Sequence, residues 1–402
     1  MYYITRQVLH GCFPALFEAW PPMVNPRSTI SFADFSQTSG LLLVFFVSLQ
    51  LKRLRMNNPS PSILLIYTGG TIGMIENPET GALENFDWEQ FQQHVPELKR
   101  FNYHIDSIMF GPPIDSSDME PKYWVRIAQI ISQEYEHYDG FVILHGTDTM
   151  AFTASALSFM LENLGKPVIF TGSQLPIGQL RTDGKENLLT SIEIAAAKTA
   201  DGQPMVPEVC IFFENRLLRG NRTTKINAEG FNAFRSYNLP ALAKAGIHIK
   251  YDTHLIRRPD PARPFCPHYL MDSNILILTL FPGMRREIID GILQQQGIKA
   301  VILQTFGSGN APQKPWLFDR LRELDRQGVI LVNVTQCSTG TVEMSRYETG
   351  LQLLQAGAIN GYDSTMESVV TKLMFLLGHG YPKERIIELM NTDIAGEITL
   401  TE

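Results

Sequence analysis

The sequence predicts an α/β fold with a mostly parallel sheet, in which a larger N-terminal α/β domain precedes a smaller C-terminal α/β domain. Three observations predict it. Short apolar runs, bounded by Gly, Pro or Asp, recur along the chain from residue 62 onward. Longer amphipathic stretches separate these runs, and such strand–helix alternation is typical of a parallel sheet. A proline-rich segment then divides the regular pattern into two unequal parts.

The apolar runs are predicted strands. They consist mainly of β-branched residues, Leu and Phe, as expected for strands that are buried on both faces of a sheet. They cover residues 63–68, 141–145, 168–171, 209–213, 275–281, 300–305 and 329–334.

Residues 153–164 (TASALSFMLENL), between two of these strands, are a predicted helix. The apolar positions fall on one stripe at helical spacing. They are Ala156, Leu157, Met160, Leu161 and Leu164. Gly165 is a suitable C-terminal cap, and Pro167 prevents the helix from continuing.

The predicted domain boundary lies at residues 257–267 (RRPDPARPFCP). Four prolines in this stretch exclude a regular element and indicate an extended connector. We therefore predict an N-terminal domain at residues 60–256, a linker at 257–272 and a C-terminal domain at 273–402.

Residues 1–55 differ from the rest of the chain. Their apolar run at 41–51 (LLLVFFVSLQL) is too short to span a bilayer as a helix, and its basic residues follow the run rather than precede it. We expect translation to start at Met56, so that residues 1–55 are a start-site artefact or a disordered tail. A membrane-contacting anchor is the alternative.

Composition and charge exclude several classes of function. The formal net charge of −7 gives no electrostatic basis for binding nucleic acid. The four cysteines (Cys12, Cys210, Cys266 and Cys337) are scattered, and we find no CxxC pair and no His at ligand spacing. This pattern argues against a disulfide framework or a structural zinc ion, and it predicts a protein of the reducing cytoplasm with no membrane partner.

Threonines and glycines follow the first two predicted strands. Residues 68–73 read TGGTIG, and residues 145–149 read HGTDT. In an open α/β sheet, ligands bind beyond the carboxyl ends of the strands, where glycine lets the backbone approach them closely. Taken alone, TGGTIG is equally consistent with a tight turn or a phosphate cradle. The Rossmann, Walker A, GxSxG and HExxH motifs are absent from the sequence.

Two polar segments have simpler explanations when each is taken alone. Residues 115–119 (DSSDM) are typical of a helix N-cap, because Asp and Ser accept hydrogen bonds from free amides there. Residues 219–225 (RGNRTTK) are typical of a solvated basic loop.

Taken together and in order, six segments resemble the bacterial cytoplasmic (type I) L-asparaginases. They are residues 68–73, 115–119, 145–151, 171–176, 219–225 and 307–312. The resemblance runs from Ser62 to near the C-terminus. It implies two α/β domains, assembly as homodimers or homotetramers, and hydrolysis of L-asparagine to L-aspartate and ammonia.

The resemblance also implies a catalytic set. Thr71 would be the nucleophile, and Thr147, Asp148 and Lys225 would form a second hydroxyl with a charged relay behind it. A threonine hydroxyl needs such a base, because it is a poor nucleophile when free. We expected Arg219 and Arg222 to lower the pKa of Lys225. Backbone amides near Gly70 and Thr147 are the natural oxyanion donors.

The substrate L-asparagine is a zwitterion, so its site must hold one charge of each sign. Asp148 suits the α-amino group, Ser116 can donate to the α-carboxylate, and Asp115 lies beside it in the binding loop. Thr147 completes this binding set. The implied reaction needs no metal and no organic cofactor, because side chains and backbone cover every step.

Two departures from the family pattern stand out. Family members have a tyrosine in a mobile flap after the nucleophile, whereas this segment reads Gly81-Ala82-Leu83. The candidate regulatory asparagine site matches at Thr224 and Cys337, but Gln304 stands where the family has a carboxylate-binding arginine. An amide cannot replace a guanidinium fork on a carboxylate, so we expect weak or absent cooperativity with asparagine.

Three other functions stay open at this point. A broad glutaminase–asparaginase is one, because a single methylene gives only roughly 1–3 kcal/mol of discrimination. The amidase subunit of a tRNA-dependent amidotransferase is another, although residues 1–55 have no alternating strands to build its additional barrel domain. A non-catalytic amino-acid sensor is the third, and it would not need Lys225 and both hydroxyls.

Overall fold

A computed structural model of the chain describes residues 60–76, 83–85 and 93–400. All of these except Ser60 belong to one compact unit, Pro61–Glu402. The predicted extension at 1–55 lies outside the described residues, as do Gly81 and Ala82 of the flap segment. Among the described helices we find none with the length and apolar character that crossing a bilayer requires.

The strands and helices alternate along the chain as predicted. The strands are β1 (Ser62–Tyr67), β2 (Met74–Glu76), β3 (Leu83–Asn85), β4 (His104–Met109), β5 (Gly140–Leu144), β6 (Leu161–Glu162), β7 (Val168–Thr171), β8 (Val209–Phe213), β9 (Arg216–Arg219), β10 (Thr224–Lys225), β11 (Phe234–Arg235), β12 (Ala243–Lys244), β13 (Lys250–Tyr251), β14 (Cys266–Pro267), β15 (Ile275–Thr279), β16 (Ala300–Thr305), β17 (Ile330–Thr335) and β18 (Ala358–Asn360). The helices are α1 (Pro121–Gln133), α2 (Met150–Met160), α3 (Gly184–Ala196), α4 (Arg286–Leu293), α5 (Pro315–Arg326), α6 (Glu348–Gln355), α7 (Met366–Gly378) and α8 (Lys383–Met390). Short 3₁₀ turns lie at Thr71–Gly73, Pro96–Arg100, Ser116–Asp118 and Gly220–Arg222.

The larger sheet has eight strands in the order β13-β12-β9-β8-β7-β5-β1-β4. Five of them, from β8 to β4 in that order, run parallel, while β9, β12 and β13 are joined by antiparallel pairing. Tyr67 at the end of β1 pairs with Met109 on one side and Leu144 on the other. The carboxyl ends of the central strands therefore reach one edge of the sheet together.

Burial on both faces explains the continuous apolar runs. Along β1, Leu64 and Ile66 enter one hydrophobic cluster, while Ile63 and Leu65 enter another on the opposite face. Successive side chains of a strand point to opposite faces, so an apolar residue is needed at each of these positions.

The smaller sheet has four parallel strands in the order β15-β16-β17-β18. Between them run α4, α5 and α6, and a third hydrophobic cluster holds this part together. A larger α/β unit with a mostly parallel sheet therefore precedes a smaller α/β unit, and the predicted fold class is confirmed.

The predicted helix at 153–164 is displaced in the structure. Helix α2 begins at Met150 and ends at Met160, because Leu161 and Glu162 leave it to pair with β14. Asn163 then has a positive φ of 56°, which turns the chain before Gly165 can act as a cap. All five residues of the predicted apolar stripe are buried, but Leu161 and Leu164 lie beyond the end of α2. Residues outside the stripe, such as Ala154 and Ser155, are buried too, so α2 has no single apolar face.

The proline-rich segment also departs from the prediction of no regular element. Cys266 and Pro267 form β14, a two-residue strand paired antiparallel with β6. The prolines restrict the pairing to this short ladder, because proline has no amide hydrogen to donate.

Candidate active site

Two glycine-rich turns meet at the carboxyl ends of β1 and β5. The amide and the hydroxyl of Thr68 both donate to the carbonyl of Leu144, each at 3.0 Å. A Cβ placed on Gly70 would lie 2.5 Å from the amide nitrogen of Gly146. Both turns therefore have their backbones in direct contact, which glycine alone permits.

Thr71 begins the 3₁₀ turn Thr71–Gly73 beside this contact and is half-buried. The amide of Gly73 donates to the carbonyl of Gly70 at 3.1 Å, and the Tyr67 hydroxyl donates to the carbonyl of Gly73 at 3.2 Å. Gly70 has a φ of +94°, a conformation that residues with a Cβ rarely adopt. The turn is thus fixed at both ends next to the His145–Asp148 loop.

Lys225 joins Thr147 to Asp148. Its ammonium group donates to the Thr147 hydroxyl at 2.8 Å and to the Asp148 carboxylate at 2.6 Å. The Thr147 hydroxyl in turn donates to Oε1 of Gln174 at 3.2 Å. The Lys225 side chain is only 18% exposed, whereas Asp148 is 63% exposed. Three of the predicted catalytic residues therefore form one hydrogen-bonded group.

Lys225 lies on β10, which pairs with β11, and the preceding loop is not the solvated surface that its composition indicates. Asn221 and Arg222 are buried. The Arg222 guanidinium binds the Asp363 carboxylate at 2.6 Å, and Arg219 binds the Glu208 carboxylate at 2.6 Å. The expectation that these two arginines place positive charge on Lys225 is wrong, because carboxylates neutralise both of them.

Ser116 lies beside the two glycine-rich turns and is 3% exposed. A Cβ on Gly146 would lie 2.5 Å from the Ser116 hydroxyl oxygen. The hydroxyl of Thr149 donates to the backbone carbonyl of Ser116 at 2.6 Å. Ser116 therefore packs against the same glycine-rich loop that carries Thr147 and Asp148.

Asp115 is exposed and has a local structural role. Its carboxylate accepts hydrogen bonds from the amide and the hydroxyl of Ser117, both at 2.9 Å. It caps the 3₁₀ turn Ser116–Asp118, as the N-cap interpretation of this segment predicts.

His145 supports the His145–Asp148 loop, a role that the sequence alone does not predict. Its Nδ1 bonds the carbonyl of Gly146 at 2.7 Å, so Nδ1 carries the proton and Nε2 accepts from the Thr153 hydroxyl at 2.9 Å. The Trp124 indole donates to that hydroxyl at 3.0 Å. Complete burial lowers the pKa of His145 to about 4, so the imidazole is neutral at pH 7.

Gln174 contacts the Thr147 hydroxyl, and the sequence alone does not predict this role either. Its amide nitrogen donates to the carbonyls of Ala228 and Gly230, at 3.3 and 3.2 Å, which directs its oxygen toward Thr147. Gln174 follows β7, one of the five parallel strands of the larger sheet, and it also lines an open cavity of about 950 Å³. Its position in the TGSQLP segment at a strand end was the available signal.

The candidate regulatory residues have different hydrogen-bond partners. The Thr224 hydroxyl donates to the buried carboxylate of Glu367 at 2.6 Å. Gln304 accepts from the Thr279 hydroxyl at 2.8 Å at the carboxyl end of β16, and Cys337 is exposed just after β17. Among residues 60–76, 83–85 and 93–400, no hydrogen bond joins Thr224 to either of them.

Side chains that could bind a metal ion lie outside this site. The group of such residues found in the described ranges consists of Glu162, Cys266 and His268, on β6 and beside β14. The active-site groups are instead two threonine hydroxyls, one carboxylate, one ammonium and the glycine-rich backbone. This arrangement suits nucleophilic attack with proton relay.

Comparisons with known proteins find matching families and relatives. The family model "Asparaginase, N-terminal" matches residues 62–257, and "Glutaminase/Asparaginase C-terminal domain" matches residues 274–390. The chain is 45% identical over 348 residues to L-asparaginase 1 of Escherichia coli K12, covering 84% of this chain and 98% of that protein. It is 42% identical to the mouse 60 kDa lysophospholipase, covering 86% of this chain and 64% of that protein.

The crystal structure of L-asparaginase I from Vibrio cholerae is similar throughout. It superposes with a TM-score of 0.77 at 44% sequence identity, and the match covers 85% of this chain and 100% of that one.

Proposed function

Because the chain belongs to the asparaginase/glutaminase family, we propose that it hydrolyses L-asparagine to L-aspartate and ammonia with Thr71 as the nucleophile. The contact between Gly70 and Gly146 carries this proposal. It brings the turn of Thr71 against the loop of Thr147, whose hydroxyl is bound by Lys225 at 2.8 Å. This contact supports a site in which a nucleophile, a base and backbone donors act on the same substrate.

The reaction follows in two steps. The hydroxyl oxygen of Thr71 bonds to the side-chain carbonyl carbon of asparagine, and its proton passes to the relay of Thr147 and Lys225. The relay returns a proton to the leaving nitrogen, the C–N bond breaks, and ammonia departs. Water then attacks the ester, releases aspartate and restores the Thr71 hydroxyl.

Lys225 must be neutral when it accepts the proton. As an ammonium it donates to Thr147 and is balanced by Asp148 at 2.6 Å. Binding of the substrate's α-ammonium group to Asp148 would draw that carboxylate away from Lys225. This movement would couple substrate binding to the relay.

Backbone amides at Gly70 and Thr147 are the proposed donors to the oxyanion. One such donor is worth roughly 3 kcal/mol of barrier. The Ser116 hydroxyl would donate to the α-carboxylate. Asp115 shapes the same loop through its cap, and its own carboxylate is already engaged by Ser117.

We further propose that the enzyme acts in the cytoplasm as a homodimer or homotetramer, with domains at 60–256 and 273–402 joined by the linker at 257–272. The two separate sheets support this division. Gln304 supports the proposal of weak asparagine cooperativity, because its side-chain oxygen is bound by Thr279 and offers no charge to a carboxylate.

The test measures ammonia release from asparagine and from glutamine by the wild type and by Thr71→Ala and Asp148→Asn. We expect Thr71→Ala to lose roughly 10³-fold or more in kcat, as expected for a missing nucleophile. We expect Asp148→Asn to lose turnover as well, because Asp148 is proposed both to bind the α-amino group and to act in the relay. The exposed Thr253→Ala serves as the matched control and should keep full activity.

Mass spectrometry of enzyme quenched during turnover should find an aspartyl group on Thr71. Full activity of Thr71→Ala would remove the nucleophile assignment. Equal kcat/KM values for the two amides would make the protein a broad glutaminase–asparaginase instead.

A further inference from the structure

A short antiparallel ladder gathers potential metal ligands far from the catalytic loops. Cys266 on β14 lies directly opposite Glu162 on β6 in the register of the pair. The amide of His268 donates to the carbonyl of Met160 at 2.7 Å, which extends the same ladder. The backbone therefore fixes the relative positions of all three side chains.

The alternation of an extended strand places these side chains on one side. Cys266 and His268 are two residues apart, so they point to the same face, and Glu162 faces them from across the ladder. Their ligand atoms, the Cys266 Sγ, a His268 ring nitrogen and a Glu162 carboxylate oxygen, lie within 4.8 Å of one another. All three residues are partly buried.

The hydrogen bonds of His379 determine the state of His268. His379 Nδ1 lies 2.7 Å from the carbonyl of Phe375, so Nδ1 is the donor and Nε2 is left as an acceptor. His268 Nδ1 lies 3.2 Å from that acceptor and must carry the proton. In a neutral imidazole, His268 Nε2 is then a bare lone pair.

That lone pair lies 2.7 Å from Oε2 of Glu162, which is itself an acceptor when ionised. The two groups form an ion pair when His268 is protonated, and a metal ion could replace that proton. The Cys266 sulfur lies within 4.8 Å of both ligand atoms. A carboxylate oxygen, an imidazole nitrogen and a thiol sulfur are therefore close enough together to share one ion.

We propose that Glu162, Cys266 and His268 bind a divalent cation of the zinc class, with water as the fourth ligand. Thiolate, imidazole and carboxylate together select zinc over magnesium or calcium. The proton donated to His379 would orient the His268 ring, as a ligating histidine requires. Arg263 binds the other carboxylate oxygen, Oε1, and leaves Oε2 for the metal.

An ion could reach these three side chains from solvent, and a small movement would bring the ligand atoms to bonding distance. Glu162 and His268 line a cavity of about 420 Å³. Zinc bonds of roughly 2.0–2.3 Å require the ligand atoms to approach one another more closely than their present limit of 4.8 Å. Rotation of the partly exposed Glu162 side chain provides this movement.

The ion would have a structural role and stabilise this part of the fold. It would hold the linker to the segment that follows α2, and through His379 to the end of α7. The proposal departs from the expectation of no metal, because His268 lies only two residues after Cys266. The third ligand, Glu162, is remote in sequence, so a local motif could not reveal it.

The experiment uses the full chain, stripped with EDTA and dialysed against zinc chloride, and measures bound zinc by elemental analysis. We expect one zinc ion per chain and a higher Tm with zinc than with EDTA. Cys266→Ser and His268→Ala should lose both effects. The exposed Cys337→Ser and His254→Ala are matched controls and should keep both.

Cobalt substitution tests the thiolate directly in the wild type, without a variant that could misfold. We expect a cobalt–thiolate charge-transfer band that disappears in Cys266→Ser and persists in Cys337→Ser. Zinc that stays bound in Cys266→Ser and His268→Ala would overturn the proposal. A wild-type chain that binds no zinc would overturn it too, and a proton would then occupy the position between His268 and Glu162.

Discussion

Thr147 has a hydroxyl whose two hydrogen bonds give proton transfer a direction. It accepts from Lys225 and donates to Gln174, so its hydrogen points away from the lysine. For Thr147 to deliver a proton to Lys225, that hydrogen must leave the Gln174 oxygen. Gln174 therefore holds the hydroxyl in its resting orientation and positions its oxygen within reach of the lysine.

We predict that Gln174→Ala lowers kcat by roughly tenfold with a smaller change in KM. The lost hydrogen bond is worth about 1 kcal/mol, and a poorly oriented relay raises the barrier by a similar amount. Steady-state kinetics with asparagine as the substrate measures both kcat and KM. Gln179→Ala is the matched control, because Gln179 lines the same cavity and its hydrogen bonds within residues 93–400 are backbone ones. Equal effects of both changes would contradict the role given to Gln174.

His145 gives the fold a pH dependence. Its pKa in the folded protein is about 4 because it is buried, whereas the ordinary value of 6.5 applies in the unfolded chain. Between these values the unfolded state binds a proton that the folded state does not, so the free energy of unfolding falls as pH falls. From pH 7 to pH 5 this amounts to about 2 kcal/mol.

The prediction is tested by urea unfolding at both pH values for the wild type and His145→Gln. The variant is expected to be less stable at pH 7, because its side chain fits the bonds to Gly146 and Thr153 less well. Its disadvantage should shrink by about 2 kcal/mol at pH 5, since it has no imidazole to protonate. A disadvantage that is the same at both pH values would refute the assignment.

At the scale of elements, the site depends on how closely the turns after β1 and β5 approach each other. Gly70→Ala would place a Cβ 2.5 Å from the backbone of Gly146, at a φ of +94°. Backbone cannot move aside as a side chain can, so the Thr71 turn must shift. Displacements of about 1 Å can reduce turnover by roughly 100-fold, and we predict at least that loss in kcat.

Gly202→Ala separates the effect of contact from that of backbone strain. Gly202 has a φ of +80°, but a Cβ there would meet nothing within 4 Å. We expect this control to cost about 1–2 kcal/mol of stability and no activity. If Gly70→Ala also loses stability but keeps its activity, activity does not depend on the close approach of the two turns.

The sequence predicts well the strands that are buried on both faces. It also predicts the edge strand β15, although that strand is only partly buried, but it misses the more polar edge strand β4. β1, β5, β7, β8 and β16 are buried on both faces, which requires the continuous apolar runs that identified them. β4 (HIDSIM) is an edge strand with partly exposed residues, so its polar composition conceals it. α2 ends early because β14, from a distant part of the chain, pairs with the residues that follow it.

The residues of the candidate site also fall into those that the sequence predicts and those that it does not. Thr71, Thr147, Asp148 and Lys225 lie in glycine-rich segments whose residue types suggest chemistry. His145 and Gln174 act through contacts with Thr153 and Thr147 that only the fold creates. Arg222 pairs with Asp363, which is far away in sequence, and Arg219 pairs with Glu208, eleven residues before it. Neither carboxylate belongs to the basic segment itself, so the composition of that segment did not reveal the pairing.

At the scale of the whole molecule, the loop that leads to Lys225 is anchored in the C-terminal half. Asn221 donates to the carbonyl of Ala395 at 2.9 Å, and Arg222 donates to the carbonyl of Glu397 at 2.7 Å. Lys372 on α7 pairs with the fully buried Glu397 at 2.5 Å. The C-terminal residues thus connect the smaller unit to the loop of Lys225, the proposed catalytic lysine of the larger one.

The Arg222–Asp363 pair is the strongest test of this connection. The guanidinium makes two bonds to the carboxylate, at 3.0 and 2.6 Å, and its side chain is 2% exposed. Removing one partner of a buried pair leaves the other charge desolvated and typically costs 3–5 kcal/mol. We predict a loss of about 4 kcal/mol in the free energy of unfolding for Asp363→Ala, within that range.

Asp319→Ala is the matched control, because Asp319 pairs with Arg322 at 2.6 Å while 69% exposed. A pair on the surface contributes at most about 1 kcal/mol, and salt screens it. Urea unfolding at low and high salt should therefore find a large, salt-independent loss for Asp363→Ala and a small, salt-dependent one for Asp319→Ala. If the losses were similar, the buried pair would not be what joins the two halves. Replacing Arg222 by Met together with Asp363→Ala should recover part of the loss, since no unpaired charge is then left in the interior.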